Sequence, residues 1–461
     1  MEFNGKKFGI WGFGIVGKAA ARFLTEKNCA VEILDKKTLS ESDTQLTQEL
    51  GATYIEEKNE DVVQAFIAHN DCIIVSPGID LKKYRTDTHK FIAELDLFYD
   101  FYKKPIIAIT GSVGKTTITT LLSHILRSYN PSWWTGGNIG TGTLDALTTH
   151  TESEGAILEV SSFQLDQCKT FAPNLAIITN IYPNHLDRHG TMQEYINAKS
   201  KIISHQSHEH IGLIPFSLRS VINKGSATST LHYFNTQPID EPELTSIAPE
   251  SIVFYIEHNH IKAYNNGSHI TIVDINKIPT VSFTENWLII CSALFLMQIP
   301  LHNIQELCST AVLPEHRLEY VTTINGIDFF NDSKGTTTIA TTAAIEKLKA
   351  RPIILILAGL SKGVDRASFI GTLQHKVKAI TCCGNERDEL AAACKKYAIP
   401  YIITQTIDQA VRESLIIATS GDQIVLSPAG SSFDQFKNYE ERGTYFKNCI
   451  YALQQELAKK S

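Results

Sequence analysis

Two glycine-rich loops, each set between a short apolar run and an amphipathic stretch, restrict what this chain can fold into more than any other feature of its sequence. The first lies in FGIWGFGIVGKAAARFL, Phe8 to Leu24, where Gly12, Gly14 and Gly17 form G-x-G-x-x-G. The second follows about ninety residues later in IIAITGSVGKTTITTLL, Ile106 to Leu122. Each reads as a strand that turns on glycines into a helix, which aims backbone N–H groups and a helix N-terminus at an anion. A dehydrogenase needs only the first loop, so the two must have different tasks.

The surrounding pattern is α/β. Over the first ninety or so residues FGIWGF, AVEILD and CIIVSPG alternate with helix-like stretches, the mark of βαβ units and a parallel sheet. The helical pattern of ELDLFYDFYKKP stops at Pro105, where the strand IIAIT begins, and this sets a first boundary near Asp100. GAILEV and NLAIITNI continue the alternation. Residues 210–282, and SIVFYIEHNHIKAYNNGSHITIVDI in particular, alternate apolar and polar residues as antiparallel hairpins do. After VLPEHRLEYV, the runs IDFFND, PIILILAG, VKAITCCG, IPYIIT and DQIVLSPAG are separated by helix-length spacers. A length of 461 residues accommodates roughly three domains. They are a Rossmann-like domain over 1–100, a central P-loop ATPase domain with a small antiparallel β portion over 101–314, and a C-terminal Rossmann-like domain over 315–461.

A formal net charge of −7 provides no basic field for nucleic acid or an anionic membrane, so phosphate binding falls to local sites. Nine scattered cysteines with no C-x-x-C pair fit a reduced, cytoplasmic protein without a disulfide framework. MEFNGKK leads straight into a strand-like run, so no signal peptide is expected. WLIICSALFLMQIP, Trp287 to Pro300, falls short of the roughly 20 residues that span a bilayer and reads as a buried helix.

In the first loop Gly12 permits the tight turn, Gly14 the approach of a pyrophosphate and Gly17 close packing of helix on strand. Asp35 ends the second strand, placed to accept from a ribose or a base. Any pyrophosphate-linked nucleotide would suit, a UDP-sugar included. The second loop, TGSVGKTT, places Gly111, Ser112, Gly114, Lys115, Thr116 and Thr117 at a strand-to-helix junction. Its amides can cradle phosphates, Lys115 can reach the β- and γ-phosphates, and the Thr116 hydroxyl can hold Mg²⁺. ATP therefore enters at Lys115, and the first loop becomes the site of a nucleotide-linked substrate.

Glu159 closes an apolar strand in AILEVSSFQLD, where a carboxylate can hold a metal beside phosphates. NIYPNHLDRHG sets Asn180, His185 and Asp187 after another such strand, at the edge where α/β ligands bind. In EYINAKSKII, composition leaves Lys199 and Lys201 as exposed, solubilising lysines.

Taken in order, these motifs resemble the Mur ligases, ATP-dependent enzymes of peptidoglycan synthesis that join an amino acid to a UDP-muramoyl precursor. The loop TGSVGKTT, with Ile109 at the usual first glycine, has that family's form. The resemblance continues through GGNIG (136–140), LEVSSFQLD (158–166), NHLDRHG (184–190), NAKSKI (197–202), LPEHRLE (313–319), NDSKGTT (331–337) and LSPAGSSFDQFKNYEERG (426–443). SSFQLD and SFDQFKNYEERG are similar to the branch that adds D-glutamate to UDP-N-acetylmuramoyl-L-alanine.

The resemblance implies the following roles. Gly14, Ile15 and Val16 face the UDP pyrophosphate, Asp35 the uridine, Ser76 the same cleft and Asn138 the muramoyl part. Gly111, Ser112, Gly114, Lys115, Thr116, Thr117 and Asn286 bind ATP, together with Arg317 and Asp332. Thr116, Glu159, His185 and Lys199, the last as its carbamate, hold Mg²⁺. Carbamylation needs a neutral amine and hence a lowered pKa. Lys115, His185, Lys199 and Lys334 are the implied catalytic groups. Thr336, Lys362, Ser432, Phe433 and Tyr439 take the amino acid. The reaction it implies passes through an acyl phosphate, in a monomeric cytoplasmic enzyme whose third domain closes over the second.

This sequence departs from the family pattern at Asn184, where an acidic residue usually precedes the histidine, at Ile289 in place of a second asparagine, and at Gly430. The competing readings are a ligase for another amino acid, a folylpolyglutamate synthetase, a dehydrogenase and a nucleotide sensor without turnover.

Overall fold

The computed structural model describes residue 3 and residues 5–139, 141–279, 284–311, 315–361 and 365–458. The chain forms two compact units, Met1–Val312 and Leu313–Ser461.

The first unit holds two sheets. In the smaller, five parallel strands run in the order Thr53–Glu56, Val31–Asp35, Phe8–Trp11, Cys72–Val75 and Phe91–Ile92. FGIW and CIIV are apolar and buried at every position because helices cover both faces of a parallel sheet. The chain leaves Phe8–Trp11 in one direction and returns on its other side at Cys72–Val75. The crevice between these two strands is the topological switch point, where open α/β sheets bind ligands. The first glycine loop and Ser76 both lie at its mouth.

The larger sheet has nine strands, ordered Ser268–Asp274, His260–Asn265, Val253–Glu257, Thr230–Asn235, Ile211–Pro215, Leu175–Ile178, Ile106–Thr110, Gly155–Glu159 and Trp133–Gly137. Alternation over 251–275 produces the antiparallel ladder Val253–Glu257, His260–Asn265 and Ser268–Asp274. The rest of the 210–282 segment corrects the hairpin expectation. Ile211–Pro215 and Thr230–Asn235 pair in parallel and extend the P-loop sheet. Their apolar runs GLI and LHYF are covered on both sides, and the connections between them are crossovers rather than two-residue turns.

Strand Ile106–Thr110, fully buried, lies between Gly155–Glu159 and Leu175–Ile178 and delivers the second glycine loop to the middle of the C-terminal edge. Helix Thr284–Leu296 is buried from Asn286 through Leu294, as expected of the apolar segment that contains it. Among the described residues no helix is long and apolar enough to cross a membrane, and all nine cysteines are free thiols.

The two sheets of this unit are joined through buried polar contacts. Glu94 opens helix Glu94–Phe101 and accepts the backbone N–H groups of Thr143 (2.7 Å) and Leu144 (3.4 Å). Arg22 donates to Asp145 at 2.8 Å.

The second unit is a six-stranded sheet, ordered Glu319–Ile324, Ile327–Asn331, Gln423–Leu426, Ile353–Leu357, Ala379–Cys382 and Tyr401–Ile403. All pairs are parallel except the first, a hairpin on Asn325 and Gly326, whose φ values of 52° and 76° are those of a type I′ turn. Its first strand was not anticipated, although Asn-Gly between EYVTTI and IDFFN is the signal for it.

Candidate active site

At the switch point of the small sheet the first loop is held by its neighbours. Gly12 has φ +95°, and a Cβ there would lie 2.7 Å from Ser76 Oγ; that hydroxyl donates to Gly12 O at 2.9 Å. A Cβ on Gly17 would strike Gly12 O at 2.0 Å, so only glycine lets the helix pack this close. Gly14 is different. Its Cβ position faces open space, and helix Ile15–Glu26 begins behind it with no side-chain cap. The first amides of that helix, at Ile15 and Val16, are thus left without a side-chain cap at an exposed helix start. Asp35 accepts from Phe13 N (2.5 Å) and Lys37 N (2.8 Å), so its carboxylate braces the loop.

The second loop is clamped by a side chain whose role composition leaves open. Asn180 Oδ1 accepts from Val113 N at 2.9 Å, its Nδ2 donates to Val113 O at 3.1 Å, and its carbonyl accepts from Ser112 N at 3.0 Å. Gly111 (φ +150°) and Gly114 (φ +87°) supply the turns. A Cβ on Gly111 would lie 2.0 Å from Thr179 Oγ1, and one on Gly114 would lie 3.1 Å from Asn286 Oδ1, which places Asn286 against the loop. Thr116 and Thr117 are half-buried in the first turn of helix Lys115–Tyr129. Ile289 is buried in its helix. A cavity of about 250 Å³ opens beside the loop, lined by Asn180, Tyr182, Pro215, Phe234 and Glu285 among others.

Lys199 overturns the compositional reading. It is 1% exposed, and its Nζ donates to Gly111 O at 2.9 Å, the same carbonyl that accepts from Lys115 Nζ at 2.8 Å. Burial, and then the Lys115 charge, push its pKa well below the ordinary lysine value, while Glu159 opposes the shift. The Tyr195 ring lies 4.7 Å from Nζ, and the Tyr195 hydroxyl meets Ser112 Oγ at 3.0 Å. Glu159 is 2% exposed. Its Oε1 accepts from Asn138 Nδ2 at 2.9 Å, and its Oε2 is buried with no hydrogen-bond partner. A buried carboxylate oxygen without a hydrogen-bond partner, in the field of Lys199, is a group that a cation could satisfy.

His185 occupies a left-handed position (φ +56°) ahead of the single turn Leu186–His189, and its ring packs edge-on against Phe163 at 5.0 Å. Phe163 also stacks on His189 and lies under the Arg188 guanidinium at 4.4 Å. Asp187 is exposed. Among the described residues no three His, Cys, Asp or Glu side chains converge on one point, so a cation here needs ligands beyond those side-chain types.

In the second unit the turn after strand Ile327–Asn331 carries Asp332, Lys334 and Thr336, with Leu318 N and the Tyr439 ring against it. Asp332 is buried, accepts from Ser427 Oγ (2.6 Å) and Leu318 N (3.1 Å), and is pushed up to about 7 by burial. Lys334 Nζ lies 3.7 Å from the centre of the Tyr439 ring. Arg317, Thr336 and Tyr439 are half-buried, Ser432 is buried, and Phe433 is 72% exposed. Lys362 lies outside the described residues. Arg442, not singled out in the sequence, holds the arrangement. It is 1% exposed and donates to Ser333 O (2.7 Å), Ser333 Oγ (3.0 Å) and Gly430 O (3.2 Å).

Three family models match the chain in order: the Mur ligase MurD-like N-terminal domain over 6–90, the Mur ligase middle domain over 109–279 and the Mur ligase glutamate ligase domain over 316–430. The UDP-N-acetylmuramoylalanine--D-glutamate ligase of Thermoanaerobacter sp. strain X514 is 32% identical, over 98% of this chain and 100% of the relative. That of Caldicellulosiruptor bescii is 34% identical over 98% and 99%. Among solved structures, MurF ligase from Thermotoga maritima in complex with ADP aligns with a TM-score of 0.58 and 14% identity, covering 94% of this chain and 96% of that one. MurC from the same organism aligns at 0.56 and 16%, covering 97% and 99%; both share the three-domain fold. The chain belongs to the Mur ligase family, with a MurD-like N-terminal domain, and is an ATP-dependent ligase of peptidoglycan precursor synthesis.

Proposed function

We propose that this enzyme joins D-glutamate to UDP-N-acetylmuramoyl-L-alanine, acting in the cytoplasm as a monomer. The observation that carries the reading is the convergence of Lys115 and Lys199 on one carbonyl of the phosphate loop, with Lys199 sealed from water. It is supported by full-length relatives that bear this activity in their names.

The uncapped amides of Ile15 and Val16 take the UDP pyrophosphate, Ser76 lines its cleft, Asn138 meets the muramoyl part, and Asp35 serves uridine by shaping the loop. Lys115 leaves its loop carbonyls to pair with ATP phosphates, and the cavity beside Asn180 and Tyr182 is the place for the adenine, with Asn286 against the loop. Thr116, Glu159, His185 and carbamylated Lys199 would hold magnesium. The unpartnered Glu159 oxygen and the depressed, buried Lys199 amine fit that assignment. A divalent cation there supplies charge neutralisation at the phosphates.

Arg317 and Asp332 contact the nucleotide, and Lys334 lies near the reacting carboxylate. Thr336, Lys362, Ser432, Phe433 and Tyr439 hold D-glutamate. The alanyl carboxylate takes the γ-phosphoryl group as ADP leaves. The glutamate amine then attacks the acyl carbon and expels phosphate, with the protein contributing position, charge and exclusion of water.

Phosphate release in the presence of ATP, Mg²⁺ and UDP-N-acetylmuramoyl-L-alanine tests the reading, with D-glutamate compared against L-glutamate, other amino acids and none. Release that requires D-glutamate, with the amide product seen by mass spectrometry, is expected. Turnover with a different amino acid would replace the assigned substrate.

A further inference from the structure

We propose that Arg188 is a positioning residue that fastens the loop following strand Cys72–Val75 to the His185 turn and thereby sets affinity for the nucleotide-linked substrate. The inference rests on the reading of the cleft given above. Arg188 Nη2 donates to Pro77 O at 2.6 Å and to Ile79 O at 2.9 Å, and Nη1 donates to Gly78 O at 3.0 Å. One guanidinium therefore holds three consecutive carbonyls from a part of the chain more than a hundred residues away. Its flat face rests on Phe163 at 4.4 Å, and its own carbonyl accepts from Lys82 Nζ at 3.1 Å, a second tie between the same two segments.

These contacts sit between the two ends of the substrate site. On one side Ser76, directly before Pro77, donates through Oγ to Gly12 O (2.9 Å) and through its backbone N–H to Trp11 O (2.9 Å), so the position of the 76–79 loop is also that of the first glycine loop. On the other side Arg188 N donates to His185 O at 3.2 Å, within the turn that sets His185 beside Phe163. A substrate that spans from the first loop to the phosphate loop must match the distance between them; Glu94 and Arg22 join the two sheets elsewhere, and Arg188 is the tie at the 76–79 loop itself. The planar fork presents its N–H groups in fixed directions that match these three carbonyls, whereas an ammonium, although it also has three donors, is a compact charge whose N–H groups point differently. The clamps on the phosphate loop, Asn180 and Thr179, do not pass through Arg188. Its loss is therefore felt mainly by the nucleotide-linked substrate, since the backbone of the phosphate loop keeps its own clamps.

The test uses the full-length enzyme with Arg188→Ala and Arg188→Lys. In Arg188→Ala the KM for UDP-N-acetylmuramoyl-L-alanine is expected to rise at least tenfold, with the KM for ATP within about twofold and kcat within about threefold of wild type. Millimolar methylguanidinium should recover part of the loss in the alanine variant alone. Arg188→Lys keeps the charge and the stem, serves as the measurement if the alanine variant does not fold, and should still show a severalfold rise in the same KM. Unchanged KM for the nucleotide-linked substrate, an equal rise in both KM values, or a loss confined to kcat would each overturn the assignment. Wild-type turnover is the control that separates the two readings. If wild type does not use this substrate the functional reading fails, whereas wild-type turnover with an unaffected variant removes only the role of Arg188.

Discussion

Glu94 offers a perturbation whose size follows from its surroundings. The side chain is 3% exposed, with Oε1 accepting two backbone N–H groups and Oε2 buried with no hydrogen-bond partner. Burial pushes its pKa from 4.5 up to about 7; the N–H groups of Thr143 and Leu144 pull it down, and Asp145, itself paired with Arg22, raises it further. The sign follows from proton binding. Between pH 4.5 and 7 the folded chain holds a proton on Glu94 that the unfolded chain has released, so stability falls as pH rises through this window and levels off above 7. A displacement from 4.5 to about 7 amounts to about 3 kcal/mol in total, most of which develops between pH 5 and 8.

Glu94→Gln keeps an acceptor for Thr143 and cannot ionise. Near pH 5 it should stay close to wild type, because both side chains are uncharged there, the acid burying one O–H donor and the amide two N–H donors. By pH 8 it should be the more stable protein, with the gap widened by about 2 to 3 kcal/mol. All four tryptophans, Trp11, Trp133, Trp134 and Trp287, lie in the first unit, so urea unfolding followed by tryptophan fluorescence reports that unit alone. Measured on both proteins at pH 5, 6, 7 and 8, a constant difference would show that Glu94 does not titrate in this range. A gap that widened with falling pH would reverse the sign and refute the reasoning about its burial.

Lys199→Ala should abolish ligation, by roughly a hundredfold or more, with partial rescue by short carboxylates that take the place of a carbamate. Full activity in that variant would discard the metal-binding role, and a carbamate signal from ¹³C-labelled bicarbonate would be its direct support in wild type. Gly111→Ala places a Cβ 2.0 Å from Thr179 Oγ1 at φ +150°, so ATP affinity, read by calorimetry, should fall at least tenfold with a stability loss of about 1–3 kcal/mol. Arg442→Met leaves Ser333 O and Gly430 O buried without their donor and should cost about 3–5 kcal/mol. Hydrogen exchange should locate that loss in residues 313–461 and leave the first unit's protection intact.

Both glycine loops are legible as strand-to-helix turns because their signal is local: the glycines that the turn and the close helix packing require lie a few residues apart, so spacing alone reports them. The same holds for the ladder over 251–275, where alternation and turn residues are neighbours in the chain. Parallel pairing of Ile211–Pro215 was not legible in this way, since short apolar strands read alike in either direction and their partners are set by crossovers. Arg188 and Arg442 escaped notice for a related reason. Each acts on carbonyls about 110 residues distant, and carbonyls carry no sequence signature.

Lys199 is the instructive case, because composition points the wrong way and periodicity points the right way. Lys199 and Lys201 are two residues apart on helix Met192–Ser204 and so lie on nearly opposite faces. Tyr195 is four residues before Lys199 and Ile202 three after it, and both are buried, so Lys199 belongs to the apolar stripe while Lys201 does not. A lysine on that stripe must either be displaced or find an oxygen, and Gly111 O, 88 residues away, provides it. That carbonyl is already approached by Lys115, which the phosphate loop requires. The second amine is thus placed where it carries the greater penalty for its proton, in a spot that no solubilising lysine would occupy. Its burial and lowered pKa are a product of helix phase on one segment and loop geometry on another, and neither segment discloses them alone.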